Sequence, residues 1–200
     1  MKNNQTGRSM VEMLGVLAII GVLSAGGLAG YSKAMFKHKL NSTMEQITML
    51  VTNIRTMYGQ QGNYKGLSGT SAYQLGVIPA VMTTNSGTSL TNPFKGAVTI
   101  TLIDAKANST TNLAKAANDT ATGFALSYAG LPTEACIALS TADFGSGAGS
   151  GFISVGVGSA ALATPLGYIG SKEGEAYSMS AAITACNATS NNAAVTWYFY

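Results

Sequence analysis

The chain has 200 residues, of which 46% are apolar and only 10% charged, against an average charged share of about 25%. The formal charge of +3 is unevenly spread. Residues 1–58 carry six cations against two carboxylates, while residues 59–200 carry five lysines against six acids, which leaves no broad basic patch and excludes nucleic-acid binding as the default reading. Two hundred residues suffice for a domain with a real core. The deficit of charge is filled by Thr, Ser, Asn and Gly, a surface suited to packing against copies of itself rather than to staying monomeric by repulsion.

In chain order, the first feature is apolar. Met13 to Ser32 carry no formal charge, which matches the ~20 residues a helix needs to cross a ~30 Å bilayer core. Glu12 stands at the N-terminal edge of this run. Unpaired in hydrocarbon, a carboxylate costs ~2.5–3.5 kcal/mol. Glu12 therefore either stays in the interface, favoured by the helix dipole, or finds a cation when helices pack away from water. The sharp processing-like feature, Gly7 followed by Arg8, precedes the apolar run. Cleavage there would leave that run on the mature chain, unlike a secretory signal peptide.

Beyond the run the pattern turns amphipathic. Phe36, Leu40, Met44, Ile47, Val51, Ile54 and Tyr58 recur at helical spacing, with Lys37, Asn41, Glu45, Thr52 and Arg55 on the polar side. No proline interrupts residues 8–58, so one helix of about 50 residues, ~75 Å long, is expected. Gly26, Gly27 and Gly30 weaken it where its halves meet, by ~1 kcal/mol each, or permit close helix contact. Gly59 reads as its C-cap.

Residues 59–95 read as a connecting region over the surface, with one short helix from Ser71 to Gly76 closed by Pro79. Ala97–Ile103 and Phe124–Tyr128 read as strands, with a turn over Asn118–Gly123. Pro132 at a first helical position opens a short helix, Thr133–Leu139. Gly145–Gly151 is a loop, Phe152–Val157 a short edge strand, and Met179–Ala185 a helical turn or two. The β-prone terminus, Ala194–Tyr200, is expected to pair inside the sheet. The sum is an α+β fold: a long N-terminal helix packed on an antiparallel sheet.

Cys136 and Cys186 are compatible with one disulfide across a long loop, worth roughly 4 kcal/mol by loop-closure entropy and implying an oxidising compartment. Two unrelated buried thiols are the alternative. The chemistry of catalysis is missing from the sequence. His38, the one histidine, lies among lysines beside the apolar run and cannot serve a Ser-His-Asp triad or a multi-histidine zinc site. The cysteines lack CxxC spacing, no phosphate-loop motif occurs, and the spacing of the six acids in residues 59–200 favours no carboxylate pair. No enzyme, metal or cofactor is expected.

The N-terminal stretch resembles that of type IV pilins and the related pseudopilins: a short basic leader, a glycine (Gly7), a glutamate five places later (Glu12), then an apolar helix with an internal glycine (Gly21). The resemblance implies a leader at 1–7, cleavage by a prepilin peptidase between Gly7 and Arg8, and methylation of the new amine of Arg8. Arg8 stands where the family usually has Phe or Met. The resemblance further implies a helix at 8–58, with 13–32 in membrane or filament core, and a globular head at 59–200. In an assembly, Glu12 would pair with the α-amine of a neighbouring subunit. Leu131-Pro132…Cys136 followed by a second cysteine looks like the head of type IVb pilins, including those of thin conjugative pili, and implies that a Cys136–Cys186 bridge bounds the exposed variable region. That subgroup usually has a longer leader.

The function so implied is that of a non-enzymatic pilus subunit. It polymerises with its own copies for adhesion, conjugation or related surface roles, and its other partners are the prepilin peptidase and the inner-membrane assembly machinery. It sits in the bacterial inner membrane, head outside the cytoplasm, before assembly, and outside the cell afterwards. A pseudopilin of a type II secretion system is the alternative. The lysines at 33, 37 and 39 alone would favour the opposite topology; the cysteine pair and the resemblance both oppose that orientation.

Overall fold

In a computed structural model of the chain, the structure describes residues 10–84, 89–104, 114–115, 121–145, 151–159, 176–189 and 191–200. The expected leader, Gly7 and Arg8, the first half of the expected 118–123 turn and the centre of the 145–151 loop lie outside the described residues. The chain divides into two compact units, Met1–Lys39 and Leu40–Tyr200.

The first described element, α1, runs Met10–Tyr58. It ends where expected, but Gly59 acts differently from a left-handed cap. Its N–H continues the helical pattern to Arg55 O at 2.7 Å, and a Cβ would lie 2.6 Å from that same carbonyl oxygen, so any side chain would collide with the last turn. Positive φ comes only at Gly62.

In the second unit, the sheet and the C-terminal part of α1 share one core. The buried positions of α1 are Thr43, Gln46, Ile47, Leu50, Val51, Ile54 and Tyr58. Four of them belong to the expected apolar stripe, and Leu40 and Met44 pack against the same core. Among the described residues seven strands follow, in chain order: β1 (Thr83–Thr84), β2 (Ser89–Thr91), β3 (Ala97–Asp104), β4 (Ala114–Lys115), β5 (Gly123–Leu131), β6 (Phe152–Ser159) and β7 (Ala193–Phe199). Their order in the sheet is β1-β2-β3-β5-β7-β6, with β4 also on β3, and every pairing is antiparallel.

Register explains the core. Val98, Tyr128, Val195 and Val157 face one another across β3, β5, β7 and β6, and so do Ile100, Leu126, Trp197 and Val155, then Leu102, Phe124, Phe199 and Phe152. These three cross-strand rows lie on one face because side chains alternate with period two, and they join α1 in a single cluster. The intervening rows are small or polar, with Thr196 Oγ1 and Ser127 Oγ 3.0 Å apart. A smaller cluster on that second face contains Ile103, Ala125, Ile153 and Tyr198. The last strand is therefore interior, between β5 and β6, and buried at all seven positions, and β6 is the edge, as its sequence implies.

The reading of residues 59–95 as surface connection needs correction. Leu67, Ala72, Val77, Ile78, Met82 and Leu90 are all buried. The helix α2 (Gly69–Gln74) has a reciprocal capping box between Ser68 and Ser71. At its other end Gly76 N–H bonds Tyr73 O and Val77 N–H bonds Ala72 O, each at 2.9 Å, a Schellman closure that needs the positive φ of Gly76. Asn53 Nδ2 then donates to Val77 O at 3.0 Å, pinning the segment to α1. Local bonding therefore folds a polar-looking stretch inward.

Two helices complete the head. In α3 (Thr133–Ser140), Pro132 is the N-cap rather than the first helical residue and offers no side-chain cap. Asn191 replaces it: its Oδ1 accepts from Thr133 N at 3.1 Å and Thr133 Oγ1 at 2.8 Å. Asn191 holds φ of 61°, which asparagine tolerates better than most residues. The other helix, α4 (Met179–Asn187), is capped by Ser178.

The core also contains polar atoms without partners. Tyr128 is fully buried and its hydroxyl makes no hydrogen bond; burial pushes that phenol far above its ordinary pKa of 10.0. Tyr198 is pushed up to about 12, also by burial. In the unfolded chain both ionise near pH 10, so the folded state binds more protons above that pH. Their contribution is fully present below pH ~10 and is lost as pH rises through the folded values. Denaturant titrations should show stability falling steadily above pH ~10, with Tyr128→Phe weakening the fall. Because its hydroxyl is unpaired, the same variant should be no less stable at neutral pH; a marked loss there would mean that the hydroxyl has a partner after all.

Candidate assembly surface

The first unit offers α1 residues without a core. From Met10 to Met35 every position is exposed, including Leu14, Leu17, Ile20 and Leu23. Its best window has a mean hydropathy of 2.1 and no buried residue. Residues of this kind are stable only with a second apolar phase around them, lipid or other helices. Glu12 sits in the first turn of the helix and is exposed. Gly7 and Arg8, its expected companions, are outside the described residues.

The glycines of this run are not required by the chain's own packing. A Cβ at Gly15, Gly21, Gly26, Gly27 or Gly30 would meet nothing within 4 Å. Alanine at these positions should raise helicity in detergent, by about 1 kcal/mol per site. If the glycines admit a neighbouring helix, Gly21→Ala should at the same time lower filament yield. Filaments unaffected by the change would assign these glycines no contact.

The second unit holds its helix by a buried aromatic chain. Ring centroids step from Tyr58 to Tyr64 at 5.9 Å, Tyr64 to Phe124 at 5.0 Å, Phe124 to Phe199 at 5.4 Å and Phe199 to Phe152 at 5.7 Å. Arg55, expected on the polar side of α1, is instead partly buried, with its guanidinium carbon 5.3 Å above the Phe199 ring. Burial raises the Tyr64 phenol above its ordinary value, and the charge of Arg55 and its hydrogen bond pull it partly back. Gly151 has φ of +71°, and a Cβ there would overlap the Arg55 guanidinium. The sequence offers no local signal for this role, because Arg55 shares the polar side of α1 with Lys37 and Glu45.

The cysteines are joined. Cys136 on α3 and Cys186 on α4 form a disulfide with Cα atoms 5.9 Å apart, closing 50 residues of sequence separation, and both are fully buried. The bridge and the Asn191 cap therefore tie α3 and the chain around α4 at two separate points.

Among the described residues, no nucleophile is brought beside a base in the manner of a reaction centre. A cleft of about 340 Å³ in the second unit is lined by Thr48, Thr52, Arg55, Asp143, Phe144 and Phe199 among others. It offers one carboxylate and no base beside a nucleophile. Among the described residues no group of three His, Cys, Asp or Glu side chains is placed to hold a metal. The one histidine, His38, is exposed on the first unit.

Comparison with known proteins agrees with this geometry. The major structural subunit of bundle-forming pilus of Escherichia coli O127:H6 (strain E2348/69 / EPEC) is 27% identical over 147 residues, covering 74% of this chain and 69% of that protein. The same subunit of Escherichia coli O111:H- aligns with the same identity and coverage. Among solved structures, a type IV b pilin from Salmonella typhi superposes with a TM-score of 0.51 at 15% identity, covering 78% of this chain and 97% of that one, which supports the fold. The family model named Bundlin matches residues 33–199, a span that takes in the buried face of α1, the disulfide and the final, interior strand. Because that match spans well over half of its length, the chain belongs to the Bundlin family.

Proposed function

We propose that this chain is the structural subunit of a type IV pilus. It is a non-enzymatic protein that polymerises with copies of itself through α1 and displays the sheet-bearing unit outward. One observation carries the reading: in a Bundlin-family chain, the uncharged helical run from Met13 to Ser32 has no buried residue in the folded chain. Such a surface is complete only in a membrane or among other copies. The relatives named as major subunits of a bundle-forming pilus support the second environment for the finished form, and the length of the run fits the first for its precursor.

Processing follows from the same reading. Gly7 and Arg8 flank the cleavage point, a prepilin peptidase separates leader from helix and methylates Arg8, and Glu12 meets the new amine of an adjacent copy. The precursor stands in the inner membrane with residues 59–200 outside the cytoplasm, where the Cys136–Cys186 bridge forms, and inner-membrane machinery lifts it into an extracellular filament. Electron microscopy of sheared surface material, labelled against residues 59–200, tests the reading. Filaments labelled along their length are expected; label confined to membrane vesicles would refute it.

A further inference from the structure

The sheet order separates strands that follow one another in the chain. β5 and β6 do not pair. β7, which comes after both in sequence, lies between them and pairs with each. Among the described residues β7 is also the only strand that pairs with β6. Until β7 is in place, β6 has no ladder to join.

The disulfide is built around the same gap. Cys136 on α3 and Cys186 on α4 bracket β6 in sequence, and β7 begins at Ala193, just past Cys186. In the fold α3 lies against β7 and β6, and α4 against β6. Cys136, Cys186, Val195 and Trp197 belong to one buried cluster, and neither cysteine has any exposed surface. Asn191, which caps α3 through Thr133, stands at the entrance to β7, so placing that strand also sets the cap.

Burial imposes an order of events. In thiol–disulfide exchange one protein thiolate attacks an external disulfide, and the second then attacks the mixed disulfide. Two protein thiols become one bridge, and the external disulfide leaves as two thiols carrying the two electrons and two protons. Each attack needs a sulfur that the external reagent can reach. We infer that β7 is the gate of the Cys136–Cys186 bridge: exchange takes place while β7 is out of the sheet, and its insertion between β5 and β6 seals the product. Oxidation in that order also shortens the free chain that carries β6, which lowers the entropy lost when β6 meets β7.

Trp197 makes the order measurable. It is the one tryptophan of the chain, it lies in β7 and it is fully buried, so its fluorescence reports insertion of that strand. The test refolds the full chain, reduced and unfolded in urea, in detergent micelles. Glutathione disulfide is added either while Trp197 is still exposed or after its signal has reached the folded plateau, and free thiols are trapped at intervals. Exchange should run at least roughly tenfold slower in the second case. A reduced chain that buries Trp197 only after glutathione disulfide is supplied would give the same order in its strictest form. Equal rates before and after burial would overturn the gate. A matched pair of variants separates β7 from the whole sheet. Val195→Ala in β7 and Val98→Ala in β3 remove the same atoms from one cross-strand row. With both oxidised chains brought by urea to the same folded fraction, dithiothreitol should reduce the Val195→Ala bridge faster. Equal reduction rates would mean that the bridge opens only with the entire sheet, and would overturn the gate as well.

Discussion

Glu12→Ala is expected to leave the chain in the membrane and to abolish filaments. Removing a carboxylate from the edge of an apolar run makes insertion easier, by ~2.5–3.5 kcal/mol if the group enters hydrocarbon. Assembly changes in the opposite sense. Between packed helices the carboxylate can be tolerated only with a cation, and in the proposed assembly that same need would fix how far one helix slides along the next. Alanine removes this register, and each copy then has many equivalent positions. Membrane fractions should retain the variant at normal levels, while sheared surface material should lose it by at least an order of magnitude, each factor of ten corresponding to ~1.4 kcal/mol. Glu12→Asp, one methylene shorter, should restore part of the yield. Normal filaments from Glu12→Ala would reduce Glu12 to an interfacial residue.

The second large effect concerns the head. Replacing both Cys136 and Cys186 by alanine frees a loop with 50 residues of sequence separation, which in the chain-entropy treatment removes roughly 4 kcal/mol. Typical domains have only ~5–15 kcal/mol in total. The denaturant midpoint should therefore fall by a large fraction of its value. The local result should be specific too: α3 would still have its Asn191 cap, so Asn191→Ala in the cysteine-free chain should remove a further ~1 kcal/mol. Reductant should act slowly on the native chain, because both cysteines are fully buried, and quickly once it is opened by urea. An unchanged midpoint in the double-alanine chain would mean that packing alone holds α3 and α4 together.

The legible parts of the fold are those whose signal is local and periodic. The Ile47–Val51–Ile54–Tyr58 stripe needs only helical spacing to be read, and β3, β5 and β7 carry enough β-branched and aromatic residues to declare themselves. The interior place of β7 followed from a simple argument, that an apolar terminal strand is seldom left unpaired. The stretch at 59–95 was hidden for the opposite reason. Its polar composition describes caps and turns, and its few apolar residues are spaced by those turns rather than by any period. The strands β1, β2 and β4 have two or three residues each and exist through register with a neighbour, which no local window contains.

The same contrast holds for single residues. Cys136 and Cys186 were visible as the only pair of their kind. Asn191 caps a helix that begins 58 residues earlier, and only the fold brings the two together. Arg55 reads as a solvated helix charge until Phe199, in the last strand, supplies the ring beneath it. Glu12 stands out in the sequence because a carboxylate beside a long apolar run is expensive wherever it sits, and the chain's own described residues offer it no core.

The most direct test of the whole account is the mass and N-terminal sequence of the protein sheared from the cell surface. The account predicts a chain that begins at Arg8, is one methyl group heavier than its sequence, and keeps the Cys136–Cys186 bridge. A chain that begins at Met1 and is found only in membrane fractions would contradict it, leaving α1 as an anchor for a tethered head.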